Sequence, residues 1–278
     1  MLRVEKMVAR YKKLKKILEK LKSAVIAFSG GVDSSFLLKA ACGALPKENI
    51  LAVTAVSPTY TDSELRQAKG FAKKLGVRHK IIFTDELRDR NFTNNPVDMC
   101  YYCKKELFKR LAKIAKEKGF DNILDASNID DAKDYRPGTR AKKEFKIRSP
   151  LMEAGFKKQD IRRFSRRLGL ETAGLPSMAC LASRFPYSQK IDRTSLKRIA
   201  DAESFIKKAG IRQVRVRYHN NIARIEVEKK DINRFLNRNF CDKITKRLKG
   251  LGFKYIALDL EGYRTGSLNE AFVPRRME

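Results

Sequence analysis

The spacing of apolar residues along this chain switches several times between helical and strand-like. Leu14, Ile17, Leu18 and Leu21 recur at helical spacing and predict an amphipathic helix over residues 1–22. The apolar run 24–28 reads as a buried strand that ends at Ser29-Gly30-Gly31, and Phe36, Leu37 and Ala40 then carry a helix over 32–44. Residues 50–56 are the next buried strand, 62–75 a helix opened by Thr61-Asp62-Ser63-Glu64, and 79–83 a third strand. A helix from about 100 to 118 and a strand over 122–126 complete this part. The alternation predicts an α/β fold, a doubly wound parallel sheet covered by helices.

After Asn128 the rhythm loosens. Asp130, Asp131, Asp134, Pro137, Gly138 and Pro150 mark 128–150 as an ordered functional loop more than a linker. A helix over 157–168 follows, then a second long loop, 174–190, which carries Cys180. From Arg193 the order becomes helix (to 209), two strands (213–218 and 222–227), helix (231–248) and strand (254–260). This predicts a smaller α+β domain, with domains at 1–190 and 191–278, a join within 186–194, and no internal repeat.

Composition narrows the class. With 42% hydrophobic and 34% charged residues among 278, the chain is neither a membrane protein nor a low-hydrophobicity disordered one. Its 62 Lys and Arg against 32 Asp and Glu leave +30, which raises a polyanionic partner. The excess is spread, because residues 1–150 and 151–278 each carry half of it. Nine Lys or Arg stand against Glu5 and Glu19 in residues 1–22, read as a solvated basic helix covering the domain edge rather than as a nucleic-acid arm. No secretory pattern and no apolar run near ~18 residues is present, so a cytoplasmic location with no membrane association is expected, and the five cysteines read as thiols more than disulfides.

Ser29-Gly30-Gly31-Val32-Asp33-Ser34-Ser35 lies between a buried strand and a helix. Adjacent glycines let the backbone approach an anion, and the helix N-terminus supplies N–H groups and positive potential. Ser29, Ser34 and Ser35 add hydroxyls, and Asp33 offers a carboxylate to a magnesium ion riding on phosphates. No Lys follows the glycines, so the Walker pattern is excluded. The segment resembles the PP-loop, SGGxDS, of the ATP pyrophosphatases, which split ATP between its α and β phosphates and adenylate an oxygen. Ala27 and Thr54, near the ends of the first two strands, would then border the adenosine at the crevice of the sheet.

Cys100-Tyr101-Tyr102-Cys103 is a CxxC pair at a predicted helix start, where two thiolates could share a metal or cluster. Cys180 is a third candidate ligand, on a loop with Arg184 as its nearest basic neighbour. Three readings stand: packed or idle thiols, a lone sulfur-bearing nucleophile at Cys180, or a three-cysteine iron-sulfur site with one open iron. Zinc would usually take a fourth protein ligand. Cys42 and Cys241 read as structural or incidental, and nothing in the sequence places His79 or His219 near these motifs.

Taken together, the 29–35 motif, the segments 100–108, 134–138 and 176–187, and Arg215-Val216-Arg217 with Ala223-Arg224-Ile225-Glu226 resemble the LarE family of ATP-dependent sulfur transferases along nearly the whole chain. One departure is Ser188, where the family usually has Gly after Pro186-Tyr187. The resemblance implies adenylation of a carboxylate of pyridinium-3,5-biscarboxylic acid mononucleotide, sulfur attack on the acyl-adenylate, and release of a thiocarboxylate with AMP, a step toward a nickel-pincer cofactor. It implies ATP, Mg2+ and a 4Fe-4S cluster on Cys100, Cys103 and Cys180 that accepts a sulfide or other sulfur donor. Other members instead sacrifice the sulfur of the cysteine matching Cys180. It also implies a substrate-phosphate site at a subunit junction of a homo-oligomer, with Arg215, Arg217 and Glu203, while Arg136 and Arg184 would neutralise the adenylate or pyrophosphate. Two rivals remain. A PP-loop tRNA thiolase is favoured by the +30 charge, and a non-catalytic adenine-nucleotide sensor would need neither Asp33 nor the cysteines.

Overall fold

The computed structural model describes residues 2–133, 137–176, 179–264 and 266–268. In chain order its main elements are α1 (Leu2–Glu19), β1 (Ala24–Ala27), α2 (Val32–Cys42), β2 (Ile50–Val56), α3 (Asp62–Leu75), β3 (Arg78–Phe83) and α4 (Arg90–Thr93). There follow α5 (Met99–Lys118), β4 (Asn122–Leu124), α6 (Gly138–Glu144), α7 (Pro150–Glu153) and α8 (Lys158–Arg167). The last are α9 (Arg193–Lys208), β5 (Val214–His219), β6 (Ile222–Val227), α10 (Lys229–Ile232), α11 (Arg238–Gly250) and β7 (Tyr255–Leu258). They form two compact units, one of Met1–Glu86 with Asp98–Met178 and one of Leu87–Val97 with Ala179–Glu278.

The first unit is the expected α/β fold. Its sheet is all parallel in the order β3-β2-β1-β4. Alternation sorts the strand residues. Ala24, Ile26, Ile50 and Ala52 pack with α1, α2, α3 and α8 on one face, while Val25, Leu51, Val53 and Ile123 pack with Phe108, Leu111 and Ile114 of α5 on the other. The chain runs outward from β1 to β3 and returns to the far side of β1 as β4. The reversal places the ligand crevice of such sheets at the carboxyl ends of β1 and β4, where the 29–35 loop leaves β1. The capping box read from the sequence forms at α3, where Thr61 Oγ1 accepts from Glu64 N and Glu64 accepts from Thr61 N. The 128–150 stretch is not all loop. It holds α6, which starts after Pro137, and a bridge between Leu124 and Arg148 ties its end to the sheet.

The second unit has a three-stranded sheet, β5-β6-β7, with β5 and β6 antiparallel and β6 and β7 parallel. The helix expected over 231–248 is broken. Asn237 has extended backbone and its side chain caps α11 by accepting from Phe240 N, while Arg234 donates to the carbonyls of Ala209 and Gly210. Ala179 onward packs in the second unit together with Leu87–Val97. The backbone explains it: Ser188 N donates to Asn95 O and Ile191 N to Thr93 O. Ser188 adopts φ +66 although it is not glycine.

Candidate functional site

Gly30 makes the 29–35 loop possible. Gly30 has φ +73, and a Cβ on it would lie 3.0 Å from Cα and Cβ of Ala68 on α3. The loop is held from outside by Gln67, whose amide donates to Gly30 O at 2.6 Å, and by Tyr60, whose hydroxyl donates to Ser29 O at 2.8 Å. Inside it, Ser34 Oγ lies 3.1 Å from Ser29 Oγ and donates to Gly31 O. No side chain caps α2, whose N-cap is Gly31, so the first-turn N–H groups face the loop without a side-chain acceptor.

Two polar atoms of this turn, Asp33 Oδ1 and Ser35 Oγ, are buried and have no partner. Asp33 Oδ2 is paired with Lys158 Nζ at 2.5 Å. Burial raises the Asp33 carboxyl above its usual range, and the Lys158 charge and hydrogen bond limit that rise. Lys158 opens α8 and its backbone N–H donates to Asp130 Oδ2, so an acidic residue of the 128–150 stretch fixes its place.

Thr54 is fully buried behind the loop. Its hydroxyl donates to Phe28 O at 2.6 Å and lies 2.8 Å from His79 Nε2. The one hydroxyl proton is spent on Phe28, so a neutral His79 carries its proton on Nε2 and donates to Thr54. Burial, then the charge of Lys69, lowers the His79 pKa and keeps the ring neutral. Thr54 thus ties β2 to the exit of β1. Ala27, half-buried, is the last residue of β1 before the loop.

The CxxC pair occupies the first turn of α5, with Cys100 exposed and Cys103 half-buried. Tyr101 anchors that turn. Its ring lies 3.5 Å below the Arg140 guanidinium, and its hydroxyl donates to Glu144 Oε1 at 2.7 Å and accepts from Lys105. Cys103 Sγ donates to Glu86 Oε1 at 3.7 Å, and Glu86 Oε2 is buried with no partner.

Cys180 belongs to the second unit and is exposed. Arg184, only 2% exposed, braces its loop: Nε and Nη2 donate to Glu203, and Nη1 to the carbonyls of Ala179 and Cys180. Glu203 also accepts from Val216 N. Burial alone would raise the Glu203 pKa, but Arg184, with Arg215 and Lys207, takes it below the usual carboxylate range. Arg217 reaches Glu226 through two nitrogens and donates to Ser183 O at 2.6 Å. Arg215 is buried beside them with its guanidinium 5.4 Å over the Tyr263 ring. Burial and the Arg184 charge press its pKa down. Arg184, Arg215 and Arg217 thus stand with Glu203 and Glu226 in one buried cluster, with Lys207 3.8 Å from Glu203 and Arg224 3.2 Å from Glu226 at its edge.

The structure therefore gathers Ser29, Gly30, Gly31, Asp33, Ser34 and Ser35 in one place, and Arg184, Glu203, Arg215 and Arg217 in another. Arg184 is engaged within the protein, with Glu203 and the carbonyls of Ala179 and Cys180. Arg136 lies outside the described residues. Among the described residues no three of His, Cys, Asp and Glu form a metal-holding group. Lys158, Gln67, Tyr60, His79, Glu86 and Glu226 escaped assignment from the sequence. The one available signal was the motif stretch holding Glu226.

Residues 5–100 match the family model described as NAD synthase, which covers the loop and strands β1, β2 and β3. An uncharacterized protein of Synechocystis is 40% identical over 94% of this chain and 97% of its own, and one of Methanocaldococcus jannaschii 33% identical over 88% and 92%. The pyridinium-3,5-bisthiocarboxylic acid mononucleotide synthase of Lactiplantibacillus plantarum is 38% identical over 94% of both chains. No described helix is long and apolar enough to cross a membrane. An end-to-end match of that order, with the nucleotide loop in place, makes this chain a member of the LarE family, ATP-dependent sulfur transferases among the PP-loop ATP pyrophosphatases.

Proposed function

We propose that the chain adenylates a carboxylate of pyridinium-3,5-biscarboxylic acid mononucleotide and converts it to a thiocarboxylate, in the direction of a nickel-pincer cofactor. The observation that carries the proposal is the 29–35 loop, with an orphaned acceptor on Asp33 and an orphaned hydroxyl on Ser35, in a chain 38% identical to a synthase of the bisthiocarboxylic product. The substrate carboxylate oxygen attacks the α-phosphorus, the bond from the α-phosphorus to the bridging oxygen breaks, and pyrophosphate leaves with the electron pair. A sulfur nucleophile then attacks the acyl carbon and AMP departs.

The residues divide this work. Gly30 and Gly31 bring backbone N–H groups and the α2 terminus against the phosphates, and Ser34 and Ser35 add hydroxyls. Asp33 Oδ1, buried and unspent, fits one bond to magnesium, which when bound neutralises phosphate charge. Arg215, with Arg217 and Glu203, is proposed to receive the mononucleotide phosphate, because the basic side chains gathered there outnumber Glu203 and Glu226.

The three cysteines are proposed to handle sulfur. Their soft thiols suit an iron-sulfur cluster that carries the donated sulfide, and Cys180 also suits a sacrificial route in which the sulfur comes from the chain itself. Cys180 thiolate attack on the acyl-adenylate gives a thioester and AMP. Loss of the Cα proton with cleavage of the Cβ–S bond then leaves a thiocarboxylate and dehydroalanine. Iron and sulfide analysis of anaerobically purified protein tests the cluster route, whose signature is about four irons per chain and repeated turnover. One turnover with loss of hydrogen sulfide from the intact mass is the signature of the sacrificial route.

The deciding experiment is pyrophosphate release with each acceptor. Release that depends on the pyridinium dicarboxylate mononucleotide supports the proposal, and release driven by tRNA instead would transfer it to the tRNA thiolase reading. Asp33→Asn is expected to abolish release.

A further inference from the structure

The loop lacks the lysine that other phosphate loops carry next to their glycines, yet a lysine stands at its mouth. Lys158 Nζ is 2.5 Å from Asp33 Oδ2. Its origin is fixed, because its backbone N–H is bonded to Asp130 and α8 is packed on α2 through Phe164 and Phe36, whose ring centroids are 6.0 Å apart. The side chain remains about one-third exposed, so only its end needs to move. The carboxylate it holds is the one whose other oxygen, Oδ1, is buried and unpartnered. Lys158 thus stands where the metal ion's charge would be.

We propose that Lys158 is a two-position cation: it closes on Asp33 when the loop holds no nucleotide and passes to the nucleotide phosphates when Mg2+ takes over the Asp33 carboxylate. An ammonium and a dication on one carboxylate repel each other, so arrival of the metal displaces the lysine. The displaced ammonium is tethered within reach of the α2 N-terminus, where the phosphates sit. It becomes the positive side chain that the 29–35 segment itself does not contain. The inference rests on the proposed nucleotide site and names a further residue of it.

Lys158→Met keeps the side-chain stem and removes the charge, and calorimetry reads two affinities. Binding of Mn2+ alone to nucleotide-free protein is expected to tighten several-fold, because the competing cation is gone. Binding of the magnesium complex of α,β-methylene-ATP is expected to weaken by about 10- to 100-fold, the range for one charge-assisted hydrogen bond. A lysine that only neutralises Asp33 would tighten both. Unchanged or tighter analogue binding therefore overturns the inference, and so does unchanged Mn2+ binding. Lys158→Arg, which retains the charge, is expected to recover part of the analogue affinity, and failure of that recovery with an intact fold by circular dichroism also counts against it. Wild-type protein that binds no analogue would overturn the proposed function as well, whereas wild-type binding untouched by Lys158→Met overturns the inference alone.

Discussion

Two glycines near α3 provide a matched test of how the nucleotide loop is built. Gly30 faces the helix at Ala68, has φ +73, and would place a Cβ 3.0 Å from Ala68 Cα and Cβ and 3.1 Å from its backbone nitrogen. Gly70 lies two residues farther along the same helix, is exposed, and has nothing within 4 Å of a built Cβ. Gly30→Ala forces an L side chain into the left-handed region, which costs about 1–2 kcal/mol, and presses backbone against backbone, which adds about 1–3 kcal/mol by overpacking. The sum is a loss of about 2–5 kcal/mol. Gly70→Ala replaces the poorer helix former at an open site and is expected to gain about 0.5–1 kcal/mol. Urea denaturation at constant m reads both changes, and analogue calorimetry reads the site. Gly30→Ala is expected to lose nucleotide binding even under conditions where it is folded, while Gly70→Ala retains it. A Gly30→Ala variant within 1 kcal/mol of wild type that still binds the analogue would refute the account of the loop as a close approach of backbone to α3.

The remaining predictions concern the braces around the loop and the cysteine segment. Glu203→Gln leaves the buried Arg184 without its counter-charge, so a loss of about 3–5 kcal/mol is expected by denaturation, with faster proteolysis near Cys180. Ser188→Gly is expected to stabilise by about 1 kcal/mol, because Ser188 holds φ +66 against its preference. His79 has a depressed pKa when folded, so the unfolded chain binds its proton first. Its contribution is complete above the ordinary histidine value of about 6.5 and falls as pH drops below that. His79→Gln, which still donates to Thr54, should flatten the part of the acid-side stability slope that belongs to the first unit. Cys180→Ala is expected to spare pyrophosphate release and stop thiocarboxylate formation, and equal loss of both would undo the division between Asp33 and Cys180.

What the sequence reveals here depends on how far each interaction reaches along the chain. The loop is readable because everything that shapes it locally falls within seven consecutive residues, and strand, glycine turn and helix each have their own pattern. Its supports are not, because Gln67 is 37 residues from Gly30, His79 is 25 from Thr54, and Lys158 is 125 from Asp33. A neutral buried histidine and a surface lysine have no pattern of their own, and in a chain with 62 Lys and Arg a single informative cation is hidden among solvated ones. The same reasoning accounts for the boundary. The apolar rhythm of 174–190 does not say which body the segment joins. What decides it is Arg184 reaching Glu203, 19 residues on, and Arg217 reaching back 34 residues to Ser183. Those bonds place Cys180 on the charged cluster proposed to receive the substrate phosphate. A mutation there would perturb both proposed roles at once, the phosphate site and the loop that carries Cys180. Loss of sulfur transfer in an Arg217 or Glu203 variant is therefore no measure of phosphate binding, and the two roles separate only where mononucleotide affinity and thiol accessibility at Cys180 are measured on the same variant.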